Sequence, residues 1–312
     1  MESHAAVVPW TEEQWDRVIR TVTEEAQRAR LAVQFLPLAG PVDAATRAIA
    51  PLTLTTAANP PANQPPASRM EVDSDPFLPL TTIQTQVQLR THEIADPELS
   101  AALTMFRRAA NHIARVEDAL IFNGRAGAPN RMPPIGVGAA AQAVVEVTGA
   151  DPPGLPRVEG LMPVDPANPL NYLPRGAGRF SRQIQAPLSE VHLVRAIMNG
   201  IADLDGAGQP GPYALVLSHL LFEHVVTPTQ SMVMPRDRIL PFLGGPMHRS
   251  SAIPGYWGVL VALNPSVVEL VVASDLNVTF LSATPEPRYL FRVAEKVALR
   301  VKDVQGIAVL HD

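Results

Sequence analysis

The 312-residue chain contains no cysteine. That excludes disulfide bonds, thiolate nucleophiles and thiolate-bound metals together. Only two lysines occur, Lys296 and Lys302, so arginine supplies almost all of the positive charge. A GC-rich coding bias accounts for this as well as a need for the arginine fork, which bridges carboxylates at interfaces. Aromatic residues make up 5% of the chain, so aliphatic side chains must fill its core. No apolar run reaches the ~20 residues of a membrane-spanning helix. The first residues lack the basic-then-apolar pattern of a secretory signal. A cytoplasmic protein with no membrane partner is the expectation. The net charge of −5 offers no basic face, so no nucleic-acid partner is expected either.

Against these absences, 46% of the residues are hydrophobic and only 18% charged. That is apolar for a free-standing soluble chain and points to surface hidden by association. The length allows one domain of unusual shape or two ordinary ones. The 32 prolines concentrate in 51–79 and 129–174. Proline blocks helix interiors and central strands, so both stretches read as extended arms or loops.

Periodicity places the elements. Residues 11–33 predict a helix, with Thr11 as N-cap and Gln14 completing a capping box. Trp15, Val18, Val22, Ala26 and Ala29 form one apolar stripe, which Ile19 widens. Residues 49–90 read as a two-stranded excursion, pairing 52–56 with 80–89 around a proline-rich tip. Such a ribbon is not stable alone in water and needs a neighbour. A long helix is expected over 97–123, with Pro97 in its first turn and Gly124 as its stop. Glu117 and Asp118 lie near its C-terminal end, where acids are unfavourable, so a cationic partner is expected: Arg115 or an arginine elsewhere. Within 125–187 only 142–149 reads as a strand; helices follow at 188–201 and 219–226, then a polar loop at 227–236 and strands to the end.

No catalytic constellation is visible. Gly136-Val137-Gly138-Ala139-Ala140-Ala141 fits a dinucleotide loop only loosely, because no strand precedes it. Asp203-Leu204-Asp205-Gly206 begins like a calcium loop, but the closing acid would fall at Ala214. His219 and His224 are five apart and do not share a helix face as zinc ligands do. Ser218 and His219, as neighbours on a strand end, would point apart. No metal site, catalytic residue or cofactor is assigned.

The order of several short motifs nevertheless resembles a family. Thr11-Glu12-Glu13-Gln14-Trp15 opens the first helix and Gly40-Pro41 follows it. Glu117-Asp118-Ala119-Leu120-Ile121-Phe122-Asn123-Gly124 closes the long helix. Gly211-Pro212-Tyr213-Ala214-Leu215-Val216-Leu217, Gly244-Gly245-Pro246, Leu270-Val271-Val272-Ala273-Ser274-Asp275-Leu276, Tyr289-Leu290-Phe291-Arg292 and Ala298-Leu299-Arg300-Val301 come in order after it. In this the chain resembles the encapsulins, the linocin-type bacteriocin family of shell proteins with the HK97 phage capsid fold.

The resemblance implies an α+β chain with several parts. Residues 1–48 would be an N-terminal helix and arm, 49–95 an E-loop reaching across a neighbouring subunit, and 96–125 with 279–312 a peripheral domain with its spine helix. Residues 126–187 would be a proline-rich insertion and 188–278 an axial domain. It further implies a non-enzymatic, icosahedral homo-oligomer that encloses a cargo enzyme, such as a dye-decolourising peroxidase or a ferritin-like protein, through the cargo's C-terminal targeting peptide. Trp15, Val18, Ile19 and Val22 would flank the peptide groove on the inner wall, with 297–301 near it. Thr227, Thr229, Gln230, Ser231 and Arg236 would line the five-fold pore. Two departures stand out. The 125–187 segment is long for the family, and His92 replaces an aromatic that stacks a flavin in some members, so no cofactor is carried over. A prophage-type major capsid protein packaging DNA is the alternative of the same fold. A protease or bacteriocin is opposed by the missing nucleophile machinery.

Overall fold

The computed structural model describes residues 8–56, 70–73, 77–131, 145–148, 160–162, 179–228, 233–284 and 288–312. Its helices are α1 (Glu12–Ala29), α2 (Thr91–Ile94), α3 (Ser100–Arg131), α4 (Glu190–Gly206), α5 (His219–Val226) and α6 (Pro235–Leu243). The strands of the first half are β1 (Leu38–Ala39), β2 (Ala48–Ile49), β3 (Thr53–Thr56), β4 (Met70–Asp73), β5 (Leu78–Pro79), β6 (Thr81–Arg90) and β7 (Val145–Thr148). Those of the second half are β8 (Phe180–Gln183), β9 (Tyr213–Ser218), β10 (Met247–Ser250), β11 (Gly258–Ala262), β12 (Val268–Ala283), β13 (Arg288–Val301) and β14 (Ile307–His311).

Two five-stranded sheets organise these elements, in the orders β1-β12-β13-β6-β7 and β10-β9-β11-β14-β8. The first sheet is built on the long antiparallel pair β12–β13, whose register shifts after Val272, Ser274 and Phe280. Such irregularities add local twist and bend the ribbon. β6 joins β13 antiparallel and alternates cleanly: Thr81, Ile83, Thr85, Val87 and Leu89 are buried, while Gln86 and Gln88 face out. In the second sheet β9, β11 and most of β14 are buried along their length, because helices cover the sheet. The two sheets share one continuous apolar core.

The strand partners correct the reading of the arm. β3 pairs with β4, and the short β2 with β5, so 52–56 does not pair with 80–89. β6 belongs instead to the first sheet, where Thr81 and Thr85 join its buried face. Alternation identifies a strand but not its neighbour. Along the chain the described strands also change sheet three times, from β7 to β8, from β11 to β12 and from β13 to β14. The expected boundary at 278/279 therefore falls inside β12, and the C-terminal strand lies in the second sheet. The expected insertion contributes an edge strand to each sheet, β7 to the first and β8 to the second.

α1 begins with the expected capping box: the Gln14 N–H donates to the Thr11 hydroxyl at 3.2 Å, and the Thr11 N–H donates to the Gln14 side chain at 3.0 Å. The helix ends at Ala29, with a 3-10 turn at Ala32–Gln34 in place of its expected last turn. Trp10, just ahead of it, stacks on Phe291 at 5.0 Å and meets Trp15 edge-on at 5.0 Å. Trp10 Nε1 donates to the Ile94 carbonyl at 3.1 Å. A chain poor in aromatics thus gathers several of them to anchor its N-terminal helix.

α3 starts three residues later than expected. Leu99 adopts φ 53, and the Asp96 carboxylate accepts from the N–H groups of Glu98 and Ser100, which holds Pro97 in the preceding turn. Gly124 breaks the helix at φ 67, as its sequence position suggests. Helix α6 falls where the sequence predicts loop and strand; Pro235 opens it at its first turn and Gly244 closes it with φ 62. Pro241 within it masks the pattern.

Candidate docking face and the ionic junction beneath it

α1 and α3 pack side by side in the same direction. Arg17 pairs with Glu98 near the start, and the Asn111 amide donates to Glu25 further along. This packing turns Val18 and Val22 wholly inward, at 0% and 1% exposure, whereas Ile19 is 50% exposed and Trp15 partly buried. The four residues expected to flank a peptide groove therefore separate: Val18 and Val22 hold the helix to its own core, and only Ile19 with part of Trp15 reaches the surface. Helical spacing groups all four, but the buried arc is set by where α3 lies. Val297, Ala298 and Leu299 are also buried, so the inner run of 297–301 offers no surface either.

Of the expected pore residues, Thr227 caps α5, its hydroxyl donating to the Glu223 carbonyl at 2.7 Å. Arg236 lies in the first turn of α6 and is exposed. Thr229, Gln230 and Ser231 lie outside the described residues. Nearby, α5 and α6 leave Leu220, Met234 and Phe242 exposed.

The cation that Glu117 required is neither Arg115 nor any other neighbour in sequence. It is Arg30, the residue capping the C-terminus of α1. Arg30 Nε lies 2.6 Å from Glu117 on α3, and its Nη1 donates to Asp275 on β12 at 2.8 Å. The other Nη donates to Glu295 on β13. Asp118 turns elsewhere, accepting from the backbone N–H groups of Leu31 at 3.1 Å and Ala32 at 2.9 Å, where the chain leaves α1. One junction thus fastens α1, α3, β12 and β13.

Arg30, Glu117, Asp118 and Glu295 are all at least nine-tenths buried. One guanidinium cannot neutralise this many carboxylates in a low dielectric. Burial, reinforced by Glu295, pushes Glu117 well above the usual carboxylate range. Burial raises Glu295 as well, against the pull of Arg30. Asp118 is pushed up to about 7 by burial, partly offset by its two backbone donors. Asp275 is held below its usual value: burial opposes this, but hydrogen bonds from Arg30 and the Leu276 N–H prevail. The physical consequence is that burial and mutual repulsion favour the protonated form of Glu117 and Glu295, which lowers the negative charge of the junction.

A second ionic group ties the arm to the first sheet. Glu269 pairs with Arg300 and, at 2.9 Å, with Lys302. Arg300 also donates to the Ala50 carbonyl at 3.1 Å, and the Leu54 N–H donates to the Lys302 carbonyl at 2.7 Å. Among the described residues there is no cluster of three His, Asp or Glu able to hold a metal ion, and no helix long and apolar enough to cross a membrane.

Comparison with solved structures defines the class first. A virus-like particle from Pyrococcus furiosus superposes with a TM-score of 0.68 at 12% identity, over 96% of this chain and 100% of that one. The capsid of Myoviridae phage XM1 does so with a TM-score of 0.56 at 12% identity, over 89% of this chain and 90% of that one. The fold is that of the HK97-like capsid proteins. Within that class, residues 3–130 and 177–298 match the linocin family, described as the encapsulating protein for peroxidase, and the chain belongs to this family. The type 1 encapsulin shell protein EncA of Myxococcus xanthus is 25% identical over 97% of this chain and 94% of its own length. The chain is accordingly a nanocompartment shell protein, a structural component and not an enzyme. The internal stretch between the two matched parts, 131–176, lies within the proline-rich segment.

Proposed function

We propose that this chain tiles a closed icosahedral shell in the cytoplasm and that the shell encloses a cargo enzyme bearing a C-terminal targeting peptide. The family description supports a peroxidase as cargo; a ferritin-like protein is the second expectation. The observation that carries the reading is α1. It is bolted to the protomer by its buried stripe and by Arg30, yet it offers Ile19 and the edge of Trp15 outward. An aliphatic side chain on a rigid helix is a suitable wall for an apolar peptide. In this reading the arm of β2 to β5 reaches a neighbouring subunit as the E-loop, the first sheet with α3 serves as the peripheral domain, and the second sheet serves as the axial domain. The 227–236 segment lines a pore that controls the entry of small molecules.

Electron micrographs of the purified protein, with mass spectrometry of co-purifying chains, test this. Hollow particles accompanied by one enzyme are expected, and nucleic acid inside them would instead favour a capsid. Ile19→Asp should leave particle formation intact and lower cargo per particle by about tenfold, since burying a charge in an apolar groove is costly. Undiminished loading would place the groove elsewhere. Val18 and Val22 are unsuitable for this test, because a charge there would disrupt the α1–α3 packing itself.

A further inference from the structure

A cleft of about 170 Å³ opens where the C-terminal turn of α1, the middle of α3 and the end of β10 meet. Four arginines reach it: Arg28, Arg30, Arg115 and Arg249. Two of them are already satisfied. Arg28 is paired with Glu25 at 2.7 Å, and Arg30 is held in the buried junction. The other two are not. Arg115 has no ion pair or hydrogen bond with any described residue, and Arg249 makes only a 3.4 Å contact with His219. The single acid on the wall, Asp118, is engaged by the Leu31 and Ala32 amides. Ser250 lines the same cleft at 4% exposure; it accepts from the Ala252 N–H at 3.1 Å and keeps its own O–H to donate. Ser251 adds an exposed hydroxyl.

We propose that this cleft is an oxyanion site that takes a phosphate group between Arg115 and Arg249, with the serine hydroxyls as further donors. Two unmatched guanidiniums suit a doubly charged anion, and the guanidinium fork matches phosphate oxygens in pairs. The cleft is large enough for the group and its waters. Its walls belong to different parts of the fold: α1 and α3 pack against the first sheet, whereas β10 is the edge of the second. A bound oxyanion therefore braces the two sheets at their seam, and bound phosphate raises the thermal stability of the assembled shell.

The test uses assembled particles and inorganic phosphate as the probe. Phosphorus NMR line broadening and thermal melting are followed as phosphate is added, with sodium chloride at matched ionic strength as control. Saturable broadening and a rise in melting temperature beyond the chloride control are expected. The double substitution Arg115→Gln with Arg249→Gln should weaken binding at least tenfold while particles still form. Both residues are exposed, so folding should survive. Arg107→Gln, on the same helix but not lining the cleft, should leave binding unchanged. A parallel titration with acetate, and with a short peptide carrying a free or an amidated C-terminus, separates a phosphate site from a carboxylate site. Absence of saturable binding would overturn the proposal. So would binding that survives the double substitution, an equal loss in Arg107→Gln, or preference for the free peptide carboxylate over phosphate.

Discussion

Arg30 and Glu117 lie 87 positions apart in the chain but depend on one another in the fold. A buried guanidinium facing more acids than it can neutralise makes the junction sensitive to pH, and the sign follows from the direction of the shifts. Asp118 rises from 3.8 to about 7, and Glu117 and Glu295 are also raised. A carboxyl with a raised folded pKa contributes its full stability below its unfolded value and loses that contribution as the pH climbs through the folded one. Stability drawn from this junction therefore declines from about pH 4 toward about pH 7 and beyond. Glu25, Glu269 and Asp275 have lowered values and act in the opposite sense, weakening the fold on acidification. Glu117→Gln keeps the size and hydrogen bonding of the side chain while removing one acid. The variant should melt higher than the parent at about pH 8 and show a flatter alkaline limb. A melting series across pH checks this; an equal loss at every pH would mean that Glu117 acts through packing rather than charge.

At the scale of the element, the end of α3 shows how a distant segment completes a helix. The N–H groups of Leu161 and Met162 donate to the carbonyls of Ile121 at 2.8 Å and Phe122 at 2.9 Å. These are carbonyls that the helix cannot satisfy for itself after it breaks at Gly124. The approach is so close that a Cβ on Gly160 would sit 2.2 Å from the Gly124 nitrogen and 2.5 Å from the Phe122 oxygen. Gly160→Ala should therefore push the capping segment away and destabilise the protein by roughly 1–3 kcal/mol, the usual range for overpacking. Gly206→Ala provides the comparison, because nothing lies within 4 Å of its Cβ position. Chemical denaturation of the two variants side by side would decide the matter. Equal midpoints would show that the 160–162 segment contributes nothing to the helix end.

At the scale of the whole molecule, the arm is the part least able to stand alone. β3 and β4 form a separate two-stranded ribbon, and such ribbons are marginal in water. Their root is fixed by Arg300 and by the Lys302 carbonyl, but no other sheet extends them. Replacing 52–74 by a short Gly-Ser linker should leave the two sheets folded and abolish closed particles. Sedimentation and electron microscopy give the readout, and unchanged particles would remove the arm from assembly. Exposed Leu220, Met234 and Phe242, at α5 and α6, suit a further contact between copies.

The sequence by itself determined what depends on neighbours along the chain. The Thr11–Gln14 cap, the inward stripe of α1, the stop at Gly124, the strand at 145–148 and the absence of catalytic motifs were all legible there, as was the order of motifs that marks the family. Capping and periodicity act over three or four residues and leave a local trace. Only the tertiary structure decided which strands pair, that Pro235–Leu243 is helical, that Trp10 anchors the N-terminus, and that Arg30 answers Glu117. It also divided the α1 stripe, sending Val18 and Val22 inward and leaving Ile19 out. Those choices rest on contacts between residues tens to hundreds of positions apart, and alternation or charge in one segment carries no record of the partner that will satisfy it.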